Sequence, residues 1–187
     1  MPKYYEIHDD LESKPTRWFL GSAVDENGDE LNPWLFNCCE KFEKSNSICF
    51  IKRLPGRQVD LTFADIDTQV ISPKIGDILE GLAPMDIQRI PVRVQGEKDL
   101  FEILNILSSV NCIDESRCDY ILRFDDRFGE KSGKIGGIMG LRIRQDEIRG
   151  QEIFRPADYR TIIVCSEKIK LALEDAKATG VYFTDVT

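Results

Sequence analysis

The chain has 187 residues, of which 42% are hydrophobic and 31% are charged. Its 33 acidic residues outnumber its 25 basic residues, which gives a net charge of −8 and a pI near 4.8. This excess of carboxylates argues against binding to nucleic acid or to an anionic membrane surface, because both depend on clustered lysine and arginine.

The start of the chain lacks the features of an export signal. Residues 1–10 contain neither an apolar core nor a small-residue cleavage site, and no apolar run reaches the roughly 18 residues of a membrane span. We therefore expect a cytoplasmic protein with no membrane partner. The six cysteines are expected to remain thiols there, since none of them forms a Cys-x-x-Cys pair.

A first candidate contact surface is an acidic turn at residues 25–30, which the most aromatic stretch of the chain follows directly. Asn27-Gly28 predicts a tight turn with a positive φ at the glycine. The carboxylates of this turn belong to Asp25, Glu26, Asp29 and Glu30. They indicate either a solvated turn or an acidic contact for a cationic partner. Trp34 and Phe36 follow, and each is either a core residue or a binding hot spot.

A hairpin and a helix are predicted next. Two apolar runs within residues 48–63 flank Pro55-Gly56, which is typical of a hairpin. Ser72 then suits the N-cap of a helix, and Pro73 suits its first position, where a backbone N–H would be unpaired in any case. Gly76 weakens this helix by about 1 kcal/mol relative to alanine, so packing has to hold it in place.

The middle of the chain predicts further strands. Residues 100–110 fit a helix or a strand, and we favour a buried strand because a hairpin-like turn precedes them. A strand at residues 120–124 leads into Asp125 and Asp126, which form a second acidic site. The glycine-rich run at 129–140 lacks the spacing of a phosphate-binding loop, so a mobile or hairpin loop is expected there.

A strand–helix–strand pattern fills the last quarter of the chain. The β-branched run 161–165 leads into Ser166, a natural N-cap, and apolar residues at helical spacing follow. Gly180 then ends the helix. The same order of features begins 94 residues earlier, at Ser72. This echo indicates either a duplication or two ordinary capped helices.

These patterns together predict an α+β fold. We expect mixed, mainly antiparallel sheets built from hairpins, with two short amphipathic helices at about residues 72–82 and 166–177. The chain is expected to form one domain over residues 1–187. The echo leaves open a division into two subregions, 1–95 and 96–187, that share the strand–helix–strand element.

No active site is evident. His8 is the only histidine and lies in a polar segment, which removes most triads that use a histidine base and most zinc sites. Carboxylate pairs such as Asp65 with Asp67, or Asp125 with Asp126, are expected to be solvated. We therefore assign no catalytic residue, cofactor or metal site, and we expect a binding protein rather than an enzyme.

Several segments taken together resemble one protein family. The matching segments are 17–21, Gly56 with Asp60, 70–84, 86–94, 103–107, 110–114, 153–156, 164–170 and 179–183. In order and spacing they are similar to the immunity proteins of bacterial polymorphic toxin systems, the Myxococcus-type immunity domain that was formerly a domain of unknown function. The tail, from residue 164 onward, carries the strongest part of the likeness.

The resemblance implies neutralisation of a cognate toxin by direct binding, in competition between bacteria, with nuclease toxins prominent among the partners. It carries over no catalytic residue. An acidic inhibitor would be steered toward the basic cleft of a nuclease, where it would compete with nucleic acid. The residues expected to contact such a toxin are Asp25, Glu26, Asp29, Glu30, Trp34, Phe36, Asp125 and Asp126.

Two other functions stay open at this point. One is an adaptor or scaffold of a secretion system, which would bind a partner without protecting against it. The other is a small enzyme with a Cys/carboxylate site, for which a polar pocket lined by Cys112, Asp114 and Arg155 would be required. If Arg155 is drawn inward, it needs a carboxylate or carbonyl partner. The oligomeric state also stays open, and a homo-oligomer is compatible with the sequence.

Overall fold

A computed structural model describes residues 2–12, 16–43, 47–65 and 67–187, and over these residues the chain forms thirteen strands and two α-helices. The first strands are β1 (Tyr4–Asp9), β2 (Phe19–Val24), β3 (Cys49–Leu54), β4 (Leu61–Ala64), β5 (Thr68–Ile71), β6 (Ile87–Val94) and β7 (Phe101–Ile106). The later strands are β8 (Ser109–Val110), β9 (Tyr120–Arg123), β10 (Ile135–Met139), β11 (Ile153–Pro156), β12 (Val164–Ser166) and β13 (Val181–Asp185). The helices are α1 (Pro73–Leu82) and α2 (Glu167–Asp175).

The strands form three sheets. The largest has the order β2-β3-β6-β7-β5-β4, the second has the order β13-β1-β12-β11-β8, and β9 pairs with β10 in a separate two-stranded ribbon. Most neighbours are antiparallel, while β3 with β6 and β8 with β11 are parallel. The predicted α+β class, with mixed and mainly antiparallel sheets and short helices, is confirmed.

Each α-helix connects two strands that flank a third, antiparallel strand. β5 and β6, which α1 connects, lie on either side of β7. β12 and β13, which α2 connects, lie on either side of β1. Each arrangement is a split β-α-β unit, so the 94-residue echo in the sequence corresponds to a repeated topology. The central strand of each unit comes from the opposite half of the chain.

The helices pack on each other and on both large sheets through one apolar cluster. Ile75 and Leu79 of α1 and Ile169 and Leu173 of α2 are at most 1% exposed. The sheets contribute Ile7, Leu61, Ile71, Leu104, Ile106, Ile153 and Cys165 to the same cluster. Burial of one large aliphatic side chain contributes about 1.5–3 kcal/mol, so tertiary packing rather than helix propensity holds these short helices.

The two helix starts differ in how their serines are used. Ser166 caps α2, because its Oγ accepts the N–H of Ile169 at 3.4 Å, as predicted. Ser72 occupies the N-cap position of α1 but donates its hydroxyl to Asp60 at 3.0 Å, so its predicted capping hydrogen bond is absent. The Asp60 carboxylate also accepts the backbone N–H of Thr179 at 3.0 Å and its hydroxyl at 2.8 Å. Asp60 therefore joins the start of α1 to the residues that follow α2.

The predicted hairpin over residues 48–63 is wrong. β3 pairs with β2 and β6, whereas β4 pairs with β5. The intervening segment runs instead beside the N-terminal segment, where the N–H of Trp18 donates to the carbonyl of Arg57 at 3.0 Å. Gly56 permits this approach, because a Cβ at that position would overlap the backbone carbonyl of Arg17. Gly56, which the sequence predicts to be a turn residue, thus allows two backbone segments to lie in close contact.

Two other local predictions, for residues 100–110 and for the glycine-rich run, are confirmed. The ambiguous stretch at 100–110 forms the buried strand β7, and the glycine-rich run contributes β10 to a hairpin with β9.

Gly76 lies where Arg89 pairs with Glu102, and a side chain there would displace that pair. The six cysteines carry free thiols. Among the described residues, no helix has both the length and the apolar character needed to cross a membrane.

Candidate partner-binding surface

The predicted acidic turn forms as expected. Gly28 has a φ of +86°, and the Asp25 carboxylate accepts the N–H groups of Asn27 at 2.9 Å and Asp29 at 3.0 Å. The hydrogen bond from Asp29 is the main reason that the pKa of Asp25 lies below its ordinary value. Asp25 therefore shapes the turn, while Glu26, Asp29 and Glu30 are exposed and free to meet a partner.

The two predicted aromatic contacts have opposite environments. They lie on a 3-10 helix, Pro33–Phe36, where Asn32 accepts the N–H of Trp34 at 3.1 Å. Trp34 is 51% exposed, whereas Phe36 is 1% exposed and packs against Phe42 with ring centroids 5.2 Å apart. The assignment of Phe36 to the contact surface is therefore corrected: it is a core residue, and Trp34 alone of this pair is accessible.

The second acidic site is weaker in charge than the sequence indicates. Asp125 accepts the backbone N–H of Arg127 at 3.0 Å and three hydrogen bonds from its guanidinium group, the shortest of them at 2.6 Å. This pairing lowers the pKa of Asp125 and neutralises its charge locally. Asp126 accepts the hydroxyl of Ser132 at 2.7 Å. In the described part of the chain, no hydrogen bond or ion pair joins this segment to the acidic turn.

A third acidic region emerges only in the folded chain. A cleft of about 480 Å³ lies between the end of β1 and the β4–β5 turn. Four carboxylates line it, and we call it the acidic cleft: Glu6 and Asp9 from β1, and Asp65 and Asp67 from the turn. Asp65 and Asp67 have φ values of +44° and +53°, a left-handed conformation that aspartate tolerates better than most residues.

The carboxylates of the acidic cleft differ in their charge state. Burial raises the pKa of Glu6 to about 7 and also raises the pKa values of Asp9 and Asp67. Asp9 forms an ion pair with Arg17, which offsets part of that effect. His8 lies 3.6 Å from Glu6, but burial lowers its pKa, so it adds little positive charge at neutral pH. A cation entering the cleft would favour the ionised form of Glu6.

A buried arginine supports one wall of the acidic cleft. Arg155 is fully buried and donates to the Arg160 carbonyl at 2.5 Å and to the Gln69 side-chain carbonyl at 2.7 Å. These carbonyl partners confirm the prediction that an inward Arg155 would need them. Gln69 in turn donates to the backbone carbonyl of Asp67. Arg155 thus connects the β4–β5 turn to the segment after β11.

This cleft is not evident from the sequence, because its residues are distant in the chain. Glu6 and Asp9 precede Asp65 by more than 50 residues, and only the pairing of the sheets brings them together. Asp65 and Asp67 were expected to be merely solvated. The available signal was their position between two apolar strands, where a turn connects the strands.

The residues proposed for a Cys/carboxylate enzyme have separate environments. Burial raises the pKa of Cys112 to about 12, so this thiol stays protonated at neutral pH and is a poor nucleophile. Asp114 accepts the hydroxyl of Ser116 at 2.7 Å, while Arg155 is engaged with Gln69 and Arg160. Within the described residues, no three His, Cys, Asp or Glu side chains are arranged to hold a metal ion.

Comparison with known families now assigns the chain. Residues 31–187 match the immunity protein family Imm11. The chain belongs to the Imm11 family. The match covers most of the chain, confirms the resemblance to immunity proteins, and indicates a role in immunity to a toxin. Among curated proteins, none matches the chain.

Several residues that carry the family resemblance have structural roles in this Imm11 protein. Asp60 and Thr179 hold the two helices together, and Arg155 is buried. Gly180 has a φ of +85° and lies against the backbone carbonyl of Leu61, which leaves no space for a side chain. These residues stabilise the fold, whereas the acidic cleft and the exposed Trp34 are candidates for contact with a partner.

Proposed function

We propose that this Imm11 protein binds a cognate toxin with a basic active surface, a nuclease domain, and inhibits it by covering that surface. The acidic cleft carries the proposal. Asp65 and Asp67 place negative charge in a concave site on a protein whose net charge is −8, and Glu6 adds to it when an entering cation favours its ionised form. A nuclease must hold phosphates with cationic side chains, and those cations match such a site.

Charge and shape have separate roles in this binding. The negative net charge steers a basic toxin toward the immunity protein and raises the association rate, an effect that weakens as salt increases. The concave cleft then receives cationic side chains, where burial strengthens each ion pair relative to one at an open surface. The exposed carboxylates at Glu26, Asp29 and Glu30 contribute to steering at longer range.

Inhibition on this proposal needs no chemistry from the immunity protein, since occupying the toxin's substrate site is sufficient. We propose that it acts in the cytoplasm, where the nucleic acid threatened by a nuclease lies. Immunity proteins are in general not enzymes, which agrees with inhibition by occupancy.

The test begins with the isolation of the toxin. Tagged protein is recovered from cells that naturally produce it, co-purifying proteins are identified by mass spectrometry, and each is expressed with and without the immunity protein. A cognate toxin kills cells alone and spares them when co-expressed. A protein that binds without sparing cells would identify an adaptor instead.

A matched pair of variants then locates the contact. The double variant Asp65→Asn with Asp67→Asn removes two charges from the acidic cleft, and asparagine tolerates the same left-handed backbone. We expect it to weaken toxin binding roughly tenfold or more, because close charge pairs at interfaces couple strongly. The control, Asp29→Asn with Glu30→Gln, removes two charges from the exposed turn and should weaken binding less than about threefold.

The reverse result would contradict the assignment. If the control variant weakens binding more than the cleft variant does, the contact lies at the acidic turn. If both variants bind the toxin as tightly as the natural protein, neither acidic region forms the interface. Association rates are measured by surface plasmon resonance at several salt concentrations, so that steering and close contact are separated.

A further inference from the structure

A groove of about 330 Å³ lies where three connecting segments meet. Trp34 comes from the Pro33–Phe36 3-10 helix, Phe124 from the β9–β10 connection, and Tyr159 from the β11–β12 connection. Its cationic lining residues are Lys131, Lys134 and Arg160. We call it the basic groove.

The cations of the basic groove lack carboxylate partners. In the described part of the chain, none of Lys131, Lys134 and Arg160 forms an ion pair, and Arg160 donates to the backbone carbonyl of Cys38 at 3.0 Å. Asp158 is the single carboxylate among the lining residues. On a protein with a net charge of −8, this groove is therefore a local site of positive charge.

Aromatic side chains also line the groove. Trp34 is half exposed, and the ammonium of Lys131 lies 5.9 Å from the centroid of the Phe124 ring. Gly136 lies under that ring, where a Cβ would be 3.1 Å from the Phe124 Cζ. Glycine thus lets the ring lie close to β10. The exposed Trp34 ring beside cations without carboxylate partners suits a ligand that has both apolar side chains and carboxylates.

The basic groove and the acidic cleft are neighbours. Tyr159 and Thr161 line both of them, so the segment 159–161 is a ridge between two sites of opposite charge. The buried Arg155 stabilises this ridge by donating a hydrogen bond to the Arg160 carbonyl. A partner that covers the ridge meets both sites at once.

We propose that the basic groove binds an acidic segment with apolar side chains on the same toxin whose basic surface enters the acidic cleft. This inference rests on the proposed function. It adds a second contact of opposite sign, which sets the orientation of the partner and excludes toxins that are basic throughout. A nucleic-acid strand fits less well, because the adjacent carboxylates and the overall negative charge repel a chain of phosphates.

The groove is tested with defined probes on the full-length protein. Trp34 reports binding by fluorescence, since Trp18 is fully buried. The probe is the blocked peptide Glu-Phe-Glu-Leu-Asp, its neutral counterpart has Gln and Asn in place of the acids, and a short thymidine oligonucleotide represents nucleic acid. We expect the acidic peptide to bind at least about fivefold more tightly than the neutral peptide, and more tightly than the oligonucleotide.

Two double variants with equal changes in charge provide the control. Lys131→Glu with Lys134→Glu should weaken binding of the acidic peptide about tenfold, because two attractive contacts become repulsive. Lys3→Glu with Lys98→Glu changes two exposed lysines outside the groove and should alter binding less than about twofold. Equal effects of both variants, or equal binding of both peptides, would overturn the proposal. Preferential binding of the oligonucleotide would assign the groove to nucleic acid.

The peptide result stands apart from the protection assay. Failure to neutralise any toxin, with the peptide preference intact, would remove the proposed function and leave the groove as a binding site for acidic segments. Once a toxin is in hand, the Lys131→Glu, Lys134→Glu variant should also bind it at least about tenfold more weakly than the natural protein. Unchanged affinity for the toxin would show that the groove does not contact it.

Discussion

The acidic cleft and the basic groove share a ridge but are built in different ways. The cleft takes its carboxylates from a sheet strand and a tight turn, where burial changes their charge state, as in Glu6. The groove takes its cations from connecting segments, where Lys131 and Lys134 are exposed. The charge of the cleft therefore depends on pH and on what enters it.

The largest expected effect comes from removing the support common to both sites. Arg155→Ala leaves the carbonyls of Gln69 and Arg160 without their donor inside the protein. We expect the free energy of unfolding to fall by about 3 kcal/mol or more, because buried polar groups lose their partners and a cavity forms. Urea denaturation at pH 7 measures the change.

The control for this variant is Arg149→Ala, which shortens an exposed arginine. It should change stability by less than about 0.5 kcal/mol. If Arg155→Ala and Arg149→Ala have the same stability, the ridge does not depend on Arg155, and the two sites are supported separately.

An effect of intermediate size should reveal the pH dependence of the acidic cleft. Glu6 has a pKa of about 7 in the folded protein, above its ordinary value of 4.5, so the folded state binds this proton more tightly than the unfolded state. The protein therefore loses stability from this group as pH rises from about 4.5 through 7. Glu6→Gln cannot ionise, and it should be more stable than the natural protein at pH 8 by about 2 kcal/mol but not at pH 4.

Stability measured at both pH values tests this expectation. Glu130→Gln, which changes an exposed carboxylate beyond the cleft, serves as the control and should show no such difference between the two pH values. A Glu6→Gln variant whose advantage is the same at pH 4 and pH 8 would mean that Glu6 does not titrate between them.

The smallest effect on stability is expected in the groove. Trp34→Phe should change the free energy of unfolding by less than about 0.5 kcal/mol, because the indole is half exposed. It should also remove most of the fluorescence that iodide quenches, since the remaining Trp18 is buried. In the natural protein, anionic iodide should quench Trp34 fluorescence more strongly than cationic caesium, because the basic groove attracts anions. Stronger quenching by caesium would contradict a positive charge in the groove.

The sequence predicted the features that depend on neighbouring residues. Ser166 and Pro73 occupy the helix positions expected of them, and Gly28 has the positive φ that its turn requires. Ile169 and Leu173, which lie at helical spacing after Ser166, are buried as that spacing predicts. Such features follow from local backbone geometry and from the period of apolar side chains, and both can be predicted from a single sequence.

Features that depend on the pairing of strands distant in the chain could not be predicted from the sequence. The partners of β3 and β4 were assigned wrongly, because an apolar run records that a strand is buried and not which strand lies beside it. Phe36 and Trp34 are two residues apart and similar in type, yet one is buried and the other exposed. The acidic cleft and the basic groove combine loops from several parts of the chain, so their charges cannot be placed before the topology is known.

The exchange of central strands between the two split β-α-β units affects the order in which the protein folds. During synthesis, β1 leaves the ribosome early but must wait for β12 and β13, which follow it by more than 150 residues. Contacts so distant in sequence form slowly, because the loop entropy is lost before the contacts are gained. We therefore expect Glu6 and Asp9 to reach their places in the acidic cleft late in folding, and on the proposed function protection from the toxin would begin only after that step.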